Sequence, residues 1–401
     1  MTQVEGMPMK RSPKAESPWS KHVPEGSFDT VVIGSGMGGM TAAALLAETG
    51  ERVLVLEQHY VPGGFTHTFR RPGYEWDVGV HAVGEVTRHS LTGRLLDRLT
   101  DGRLEWASLG ETYDEFTYPD GLRLAFPDTP AQFRENLIEA FPHERRAIDE
   151  YLHLVKVVAG TMRGYYLARL APKGLAPVAD LLLARKAKEY LTMRAKEVIE
   201  DLTEDPRLRG VFAAQWGYYG APPSRASFAM QALVVKHFMH GGYYPVGGSG
   251  RIAEELLGRV ARAGGWTAIR ADVDEILVRG GRAVGVRLVD GREVLAAKVL
   301  SAAGVLSTVT RLLPRELRRR EWADSIGELA PSPAHVCLYL GFEGDIRAAG
   351  ATAANQWFYE TWDMEQDAWD VGPDGPRGDA PVLYCSFPSL KDPAHDPGPR
   401  E

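Results

Sequence analysis

Three glycines, Gly34, Gly36 and Gly39, stand in the spacing G-x-G-x-x-G, and Glu57 follows the middle one by 57 − 36 = 21 residues. That combination suits a phosphate-bearing ligand with a sugar attached. The first glycine permits a tight turn, the second lets the backbone approach a pyrophosphate with no Cβ between them, and the third lets helix and strand pack closely. The N–H groups of the helix's first turn then face the anion, and a carboxylate at that distance can accept hydrogen bonds from both ribose hydroxyls. The chemistry implied is that of a dinucleotide coenzyme. Gly63-Gly64 and the run Trp76-Asp77-Val78-Gly79 come soon after Glu57. A second close approach of backbone to ligand suits a coenzyme that continues past its pyrophosphate, as FAD does more naturally than NAD. Two further plain turns are the bland alternative.

These residues need a rigid frame. Val31, Val32 and Ile33 form a short apolar run, as a strand buried on both faces requires. Helix formers over 41–48 follow, Gly50 sits where a left-handed cap would stop them, and 53–56 make a second buried strand. Such a βαβ start commits the domain to a parallel sheet. Strands expected at 276–279, 283–289 and 293–300 are separated by the hairpin dipeptides Gly280-Gly281 and Asp290-Gly291, which predicts an antiparallel meander distinct from the parallel sheet. From about 110 to 240 the periodicity is helical. The expected architecture is α/β. A Rossmann-like FAD-binding domain, parallel sheet plus antiparallel meander, occupies 28–109 and 241–310. An α+β substrate domain, 110–240 and 311–401, is interleaved with it. Residues 1–27, rich in Pro, Ser and Lys, are expected to stay mobile.

Composition narrows the class. The 401 residues are too many for one ordinary core, and 44% hydrophobic with 25% charged residues is a globular balance. The charge sum, 46 − 53 = −7, argues against nucleic acid as a partner. Only Cys337 and Cys385 are present, which excludes a disulfide framework or a Cys-rich metal site. No apolar run of about 18 residues would span a bilayer, and the N-terminus lacks the apolar stretch of a secretory signal. A cytoplasmic protein, soluble or peripheral, is expected. Charge is locally reversed over 163–196, where eight basic residues meet two acidic ones amid Leu, Val and Tyr. Residues 151–191 fit either an anionic membrane surface or a solvated helix pair over the core, and both readings stay open.

Longer strings carry a family resemblance. VVIGSGMGGMTAAALLAETGERVLVLEQHYVPGGFTHTFRRPGYEWDVGVHAVGEV, AAQWGYYGAPPSRASFAMQALVVKHFMHGGYYPVGGSGRIAEEL, and VDEILVRGGRAVGVRLVDG with SAAG resemble the phytoene desaturase and carotenoid isomerase superfamily of flavoproteins. Within it they resemble the all-trans-retinol 13,14-reductase (retinol saturase) group and its bacterial relatives. The resemblance implies that Gly34, Ser35, Gly36, Met37, Gly38 and Gly39 hold the FAD pyrophosphate, and that Glu57 meets the adenosine ribose with Gln58 beside it. It places Gly63 and Gly64 at the flavin end, the backbone of Val273 at the adenine, and Gly247-Gly248 in a second flavin-facing loop. Phe65 departs from the Arg that amine oxidases and phytoene desaturases usually carry after the doublet. The family also returns to its cofactor domain with a C-terminal glycine-containing segment. Here the last residues are still Pro- and Asp-rich, so that segment is expected to be missing or supplied by another chain. No second fingerprint occurs, and NAD(P)H would act only as an external donor.

Flavin chemistry at a carbon–carbon bond needs an apolar channel but no catalytic triad, because the isoalloxazine performs the hard step; none is found. His81 is the candidate proton donor, with a hydrogen-bonded structural histidine as the alternative. His59 and His67 read as structural or cofactor-shell residues. His237 and His240 have i, i+3 spacing but no third ligand, so no metal site is expected. Trp216, Tyr218 and Tyr219 line a polyene channel or are plain core, and Trp357, Phe358, Tyr359, Trp362 and Trp369 are expected to pack inside the substrate domain. The expected function is an FAD-dependent oxidoreductase acting on C=C or C–C bonds of a lipophilic polyene, a retinoid or carotenoid, by saturation, desaturation or isomerisation. The alternatives are a flavin amine oxidase-like dehydrogenase and a non-catalytic flavoprotein-fold partner.

Overall fold

Phe28–Ile33 (β1) and Val53–Glu57 (β2), the two apolar runs, are neighbouring parallel strands with Val31 opposite Leu54 and Ile33 opposite Leu56. Both are buried on both faces: the helix Met37–Glu48 (α1), which crosses over between them, covers one face, and Val31, Ile33, Leu54 and Leu56 pack with Ile276, Val286, Leu288 and Leu312 on the other. The inward face of α1 carries Gly39, Ala43, Ala44 and Ala47, small residues that let the helix lie close to the sheet. It stops where Gly50 takes φ +90° and its N–H reaches the Ala47 carbonyl at 3.0 Å. The computed structural model describes residues 17–318, 321–329, 332–365 and 371–396.

The chain divides into two compact units. The first comprises the described parts of Met1–His67, Arg98–Arg103 and Gly250–Leu329, and the second those of Thr68–Asp97, Leu104–Ser249 and Ala330–Glu401. The expected boundaries, 28–109 with 241–310, differ from these for physical reasons. Trp106–Ser108 pairs with Tyr243–Pro245 inside the second unit, and Leu312 is buried in the apolar cluster of the first.

In the first unit one six-stranded sheet runs in the order Val273–Arg279, Arg282–Leu288, Glu293–Ser301, β1, β2, Trp266–Ile269. The meander is therefore not a separate sheet, which corrects the expectation. Glu293–Ser301 is long enough to serve both parts. Its residues 293–295 pair antiparallel with Arg282–Leu288, and 296–301 pair parallel with β1. The outer edge at Trp266–Ile269 is covered by the chain before β1. Ser20 donates to the Thr267 carbonyl at 3.1 Å and accepts from the Ile269 N–H at 2.8 Å, and Val23 is buried. The expectation of a mobile tail to residue 27 is thus corrected for 17–27; residues 1–16 lie outside the described residues.

The second unit packs helices on a four-stranded sheet, Val382–Cys385, Asn355–Tyr359, Thr112–Thr117 and Arg123–Pro127 in that order. The long helix Arg145–Arg169 and the helix Phe228–Phe238 supply Ile148, Tyr151, Val155 and Phe228 to its core. Aromatic rings stack across the sheet. Phe116 lies on Trp357 with centroids 5.7 Å apart, and Tyr118 on Trp362 at 4.4 Å. Trp357 and Tyr359 are buried, Phe358 and Trp362 are half-buried, and Trp369 lies outside the described residues.

Candidate functional site

The glycine turn of the first unit forms a cradle. Gly34 takes φ +91°, a conformation that favours glycine, and its N–H reaches the Leu56 carbonyl of β2 at 2.8 Å. The chain then enters α1 at Gly36 with no side-chain cap, and no acidic residue occupies the first turn. The backbone N–H groups of that turn have no intrahelical acceptor by geometry, and the helix dipole adds positive potential there. Ideal Cβ atoms built on Gly36 and Gly38 would meet nothing within 4 Å. One on Gly39 would sit 2.1 Å from the Gly34 carbonyl oxygen and 3.1 Å from Ala302 Cβ. Gly36 of the fingerprint and its neighbour Gly38 are therefore open for a ligand, and Gly39 is needed for packing.

Glu57, at the end of β2, is buried and already engaged. One carboxylate oxygen accepts from the Ser35 N–H at 2.9 Å and the Ser35 hydroxyl at 2.5 Å, and the other from the His59 N–H at 2.8 Å. The buried Ser35 hydroxyl in turn accepts from the Gly63 N–H at 3.0 Å. Ser35, expected among the pyrophosphate holders, directs both its N–H and its hydroxyl to Glu57. Its N–H and hydroxyl lock the turn, the strand end and the second glycine doublet together. Gly63 (φ +120°) and Gly64 (φ +56°) bring that doublet against the turn, since a Cβ on Gly64 would lie 2.9 Å from Gly36 Cα. Gln58, His59 and Phe65 are exposed beside this lock. The His59 ring pairs with the Val61 carbonyl and that of His67 with the Gly64 carbonyl, both loop-holding bonds. Val273 opens the strand Val273–Arg279, buried, with its carbonyl accepting from Arg311 at 3.1 Å. An uncapped helix start, open space where Cβ atoms would be, and a buried carboxylate at the second strand's end fit the adenine-bearing half of a dinucleotide.

The second unit holds a separate polar cluster that sequence reasoning missed. Lys391 is only 3% exposed, and its ammonium donates to the His81 carbonyl at 2.7 Å, to Ser386 Oγ at 2.6 Å and to Asn355 Oδ1. The Asn355 amide also donates to Asp114 at 2.8 Å, and Tyr218 donates its hydroxyl to the same carboxylate at 2.7 Å. A buried chain thus runs Tyr218, Asp114, Asn355, Lys391. Loss of hydration pushes the Lys391 amine down to about 7, with Asp114 and Asp77 opposing, and pushes the Asp114 carboxyl up to about 6 against its Asn355 and Tyr218 donors. His81, the candidate proton donor, has Nδ1 shut off from solvent with no hydrogen-bond partner. Burial and the Lys391 charge pull the ring down to about 4, so it is neutral at pH 7. Asp77, also raised by burial, accepts from Ser249 Oγ at 2.5 Å and from Tyr244, anchoring the end of the Gly247-Gly248 loop.

Other expectations resolve within the second unit. Trp216 is buried core, Tyr218 is held by Asp114, and Tyr219 donates to Gln231 at 2.6 Å, so the three pack rather than line an open channel. His237 accepts the Gly84 N–H on Nε2 at 2.7 Å, a structural role. Among the described residues no three His, Cys, Asp or Glu gather as metal ligands.

The Lys391 environment gives a pH signature. A lysine whose folded value lies below its unfolded one binds fewer protons in the native state between about 7 and 10.5, so its contribution to stability rises with pH across that window. Lys391→Met removes the titration. The unfolding free energy of wild type should gain on that of the variant from pH 7 to 9, by about 2 kcal/mol at most, and its melting temperature should rise with it. Parallel curves would show that the amine is not held in a dehydrated site.

The profile of the family described as Flavin containing amine oxidoreductase matches residues 37–397. The chain is 32% identical over 400 residues to the all-trans-retinol 13,14-reductase of Danio rerio, covering 94% of this chain and 65% of that protein. It is 30% identical over 331 residues to the chloroplastic prolycopene isomerase 1 of an Oncidium hybrid cultivar, covering 80% and 55%. Both relatives match the superfamily that the sequence strings resemble. The fold matches a solved Pyrococcus furiosus protein with a TM-score of 0.53 at 20% identity, over 75% of this chain and 65% of that one, a likeness of fold alone. The chain thus spans 65% and 55% of the length of these two curated relatives, less than two thirds of each. With the family profile covering nearly all of its length, and a flavin-family cradle at the start of α1, the chain belongs to the flavin-containing amine oxidoreductase family.

Proposed function

We propose that this protein is an FAD-dependent oxidoreductase acting on carbon–carbon double bonds of a lipophilic polyene, a retinoid or carotenoid. The observation that carries the reading is the uncapped start of α1, with open space beyond Gly36 and Gly38 and the buried Glu57 locked beneath it. The polyene follows from relatives named for retinol and prolycopene. In this reading the N–H groups of Met37, Gly38 and Gly39 hold the pyrophosphate, and the free lone pairs of Glu57 meet the ribose with Gln58 at the rim. Val273 borders the adenine, and Gly63-Gly64 border the flavin end. FAD, when bound, would supply reversible hydride transfer, so an external donor would drive saturation, an external acceptor desaturation, and isomerisation would need no net donor or acceptor. NAD(P)H arriving from solution is the proposed donor. The protein's own part is to orient the coenzyme and exclude water. We place the enzyme in the cytoplasm.

The family description favours one second reading, an amine dehydrogenase. A single titration separates them. Purified protein should carry a flavin absorption band that dithionite bleaches and that a retinoid or carotenoid restores without oxygen. Bleaching by an amine, with no response to polyenes, moves the assignment to the second reading. Folded protein that never takes up flavin overturns both and leaves a non-catalytic partner.

A further inference from the structure

The basic stretch of the second unit is packed inside out. At the end of the helix Arg145–Arg169 and across 170–188, the buried positions are small: Ala168, Ala184 and Ala187. A Cβ on Gly164 would lie 2.5 Å from the Leu183 carbonyl oxygen, so the two arms touch backbone to backbone. The large residues point outward. Leu170 is 79% exposed and Leu182 74%, with Leu167, Leu175, Val178 and Leu181 all more than half exposed. A helix pair lying over a core would reverse this order, and the tight inner face leaves no room to turn the leucines inward. Charge surrounds the patch. Residues 163–188 hold six Lys or Arg against one Asp in a chain of net charge −7. That carboxylate, Asp180, is matched by Lys188 and by Arg169 at 3.4 Å. Arg163, Lys173, Arg185 and Lys186 are exposed around the leucines. Among the described residues no helix is long and apolar enough to cross a membrane.

We infer that this hairpin tip seats the protein on an anionic lipid bilayer, with its leucines in the acyl boundary and its Lys and Arg side chains at the headgroups. Charge complementarity selects the occupant: a neutral protein surface would leave this basic rim unmatched, whereas anionic lipid matches it while accepting the leucines. The inference stands apart from the proposed function, because vesicle binding is read without flavin or polyene.

The full chain is sedimented with phosphatidylcholine vesicles that contain or lack phosphatidylserine at about 30 mol %. Binding should be at least about tenfold tighter with phosphatidylserine and should weaken with salt. Leu181→Asp with Leu182→Asp should lose about tenfold or more, and Arg185→Glu with Lys186→Glu should lose binding to the anionic vesicles alone. All four residues are exposed, so circular dichroism and melting temperature should be unchanged. Wild type that ignores phosphatidylserine, or variants that bind like wild type, overturn the assignment. Concentration-dependent dimers in sedimentation velocity, dispersed by the leucine pair of substitutions and with no vesicle binding, would give the face to a second copy instead.

Discussion

Gly36→Val should give a folded protein that does not retain flavin. Gly36 has φ −64° and ψ 172°, extended backbone that any residue adopts, and a Cβ there would meet no protein atom within 4 Å. The cost to the apoprotein is then limited to replacing a tolerated helix-cap residue with a poor one, about 1 kcal/mol or less. The cost to binding is much larger. The branched side chain would fill the space through which a pyrophosphate must reach the N–H groups of the first turn, and those amides would lose their anion. A loss of at least about a hundredfold in FAD affinity is expected, equivalent to about 2.7 kcal/mol. The readout is the flavin-to-protein absorbance ratio after gel filtration, beside the melting temperature of the flavin-free protein. Full flavin occupancy in the variant would remove the coenzyme from this turn.

Gly39→Ala, three residues along the same motif, should instead prevent stable folding. Its Cβ would lie 2.1 Å from the Gly34 carbonyl oxygen and 3.1 Å from Ala302 Cβ. The nearer atom is backbone held by the sheet, so it cannot rotate away as a flexible side chain would. Relief requires α1 to lift from β1 and from the strand Glu293–Ser301, which separates the small-residue face of Gly39, Ala43, Ala44 and Ala47 from its bed. Overpacking of this kind costs roughly 3 kcal/mol or more, a large share of an ordinary domain's stability. The expected result is insoluble protein, or a melting temperature lower by roughly 10 °C. A variant within two or three degrees (about 1 kcal/mol) of wild type would contradict the close packing of α1. The pair of substitutions separates ligand contact from helix packing within one fingerprint.

Legibility in the sequence followed the range of the interaction. The turn at Gly34, the stop at Gly50 and the buried strands β1 and β2 are local consequences of glycine torsions and apolar runs, so spacing alone located them. The bond from Ser35 to Glu57 was not legible, because the direction of one hydroxyl depends on a carboxylate 22 residues away. The meander was misplaced because a strand's second neighbour, here β1 beside Glu293–Ser301, leaves no mark in the strand's own pattern. Nothing near Lys391, in a stretch of Pro and Asp, signals burial. Its partners His81 and Asn355 are 310 and 36 residues away, and only folding strips water from its amine.

By itself the amino-acid order determined the glycine turn, the parallel start of the sheet and the excess of Lys and Arg over 163–188, because these depend on neighbours within a few dozen residues. Tertiary structure alone decided which fingerprint glycine stays open and which is filled by packing, which polar groups lose their water, and that the leucines of the basic hairpin face outward. Each of those outcomes depends on which atoms occupy the adjoining space, and that is set by segments distant along the chain.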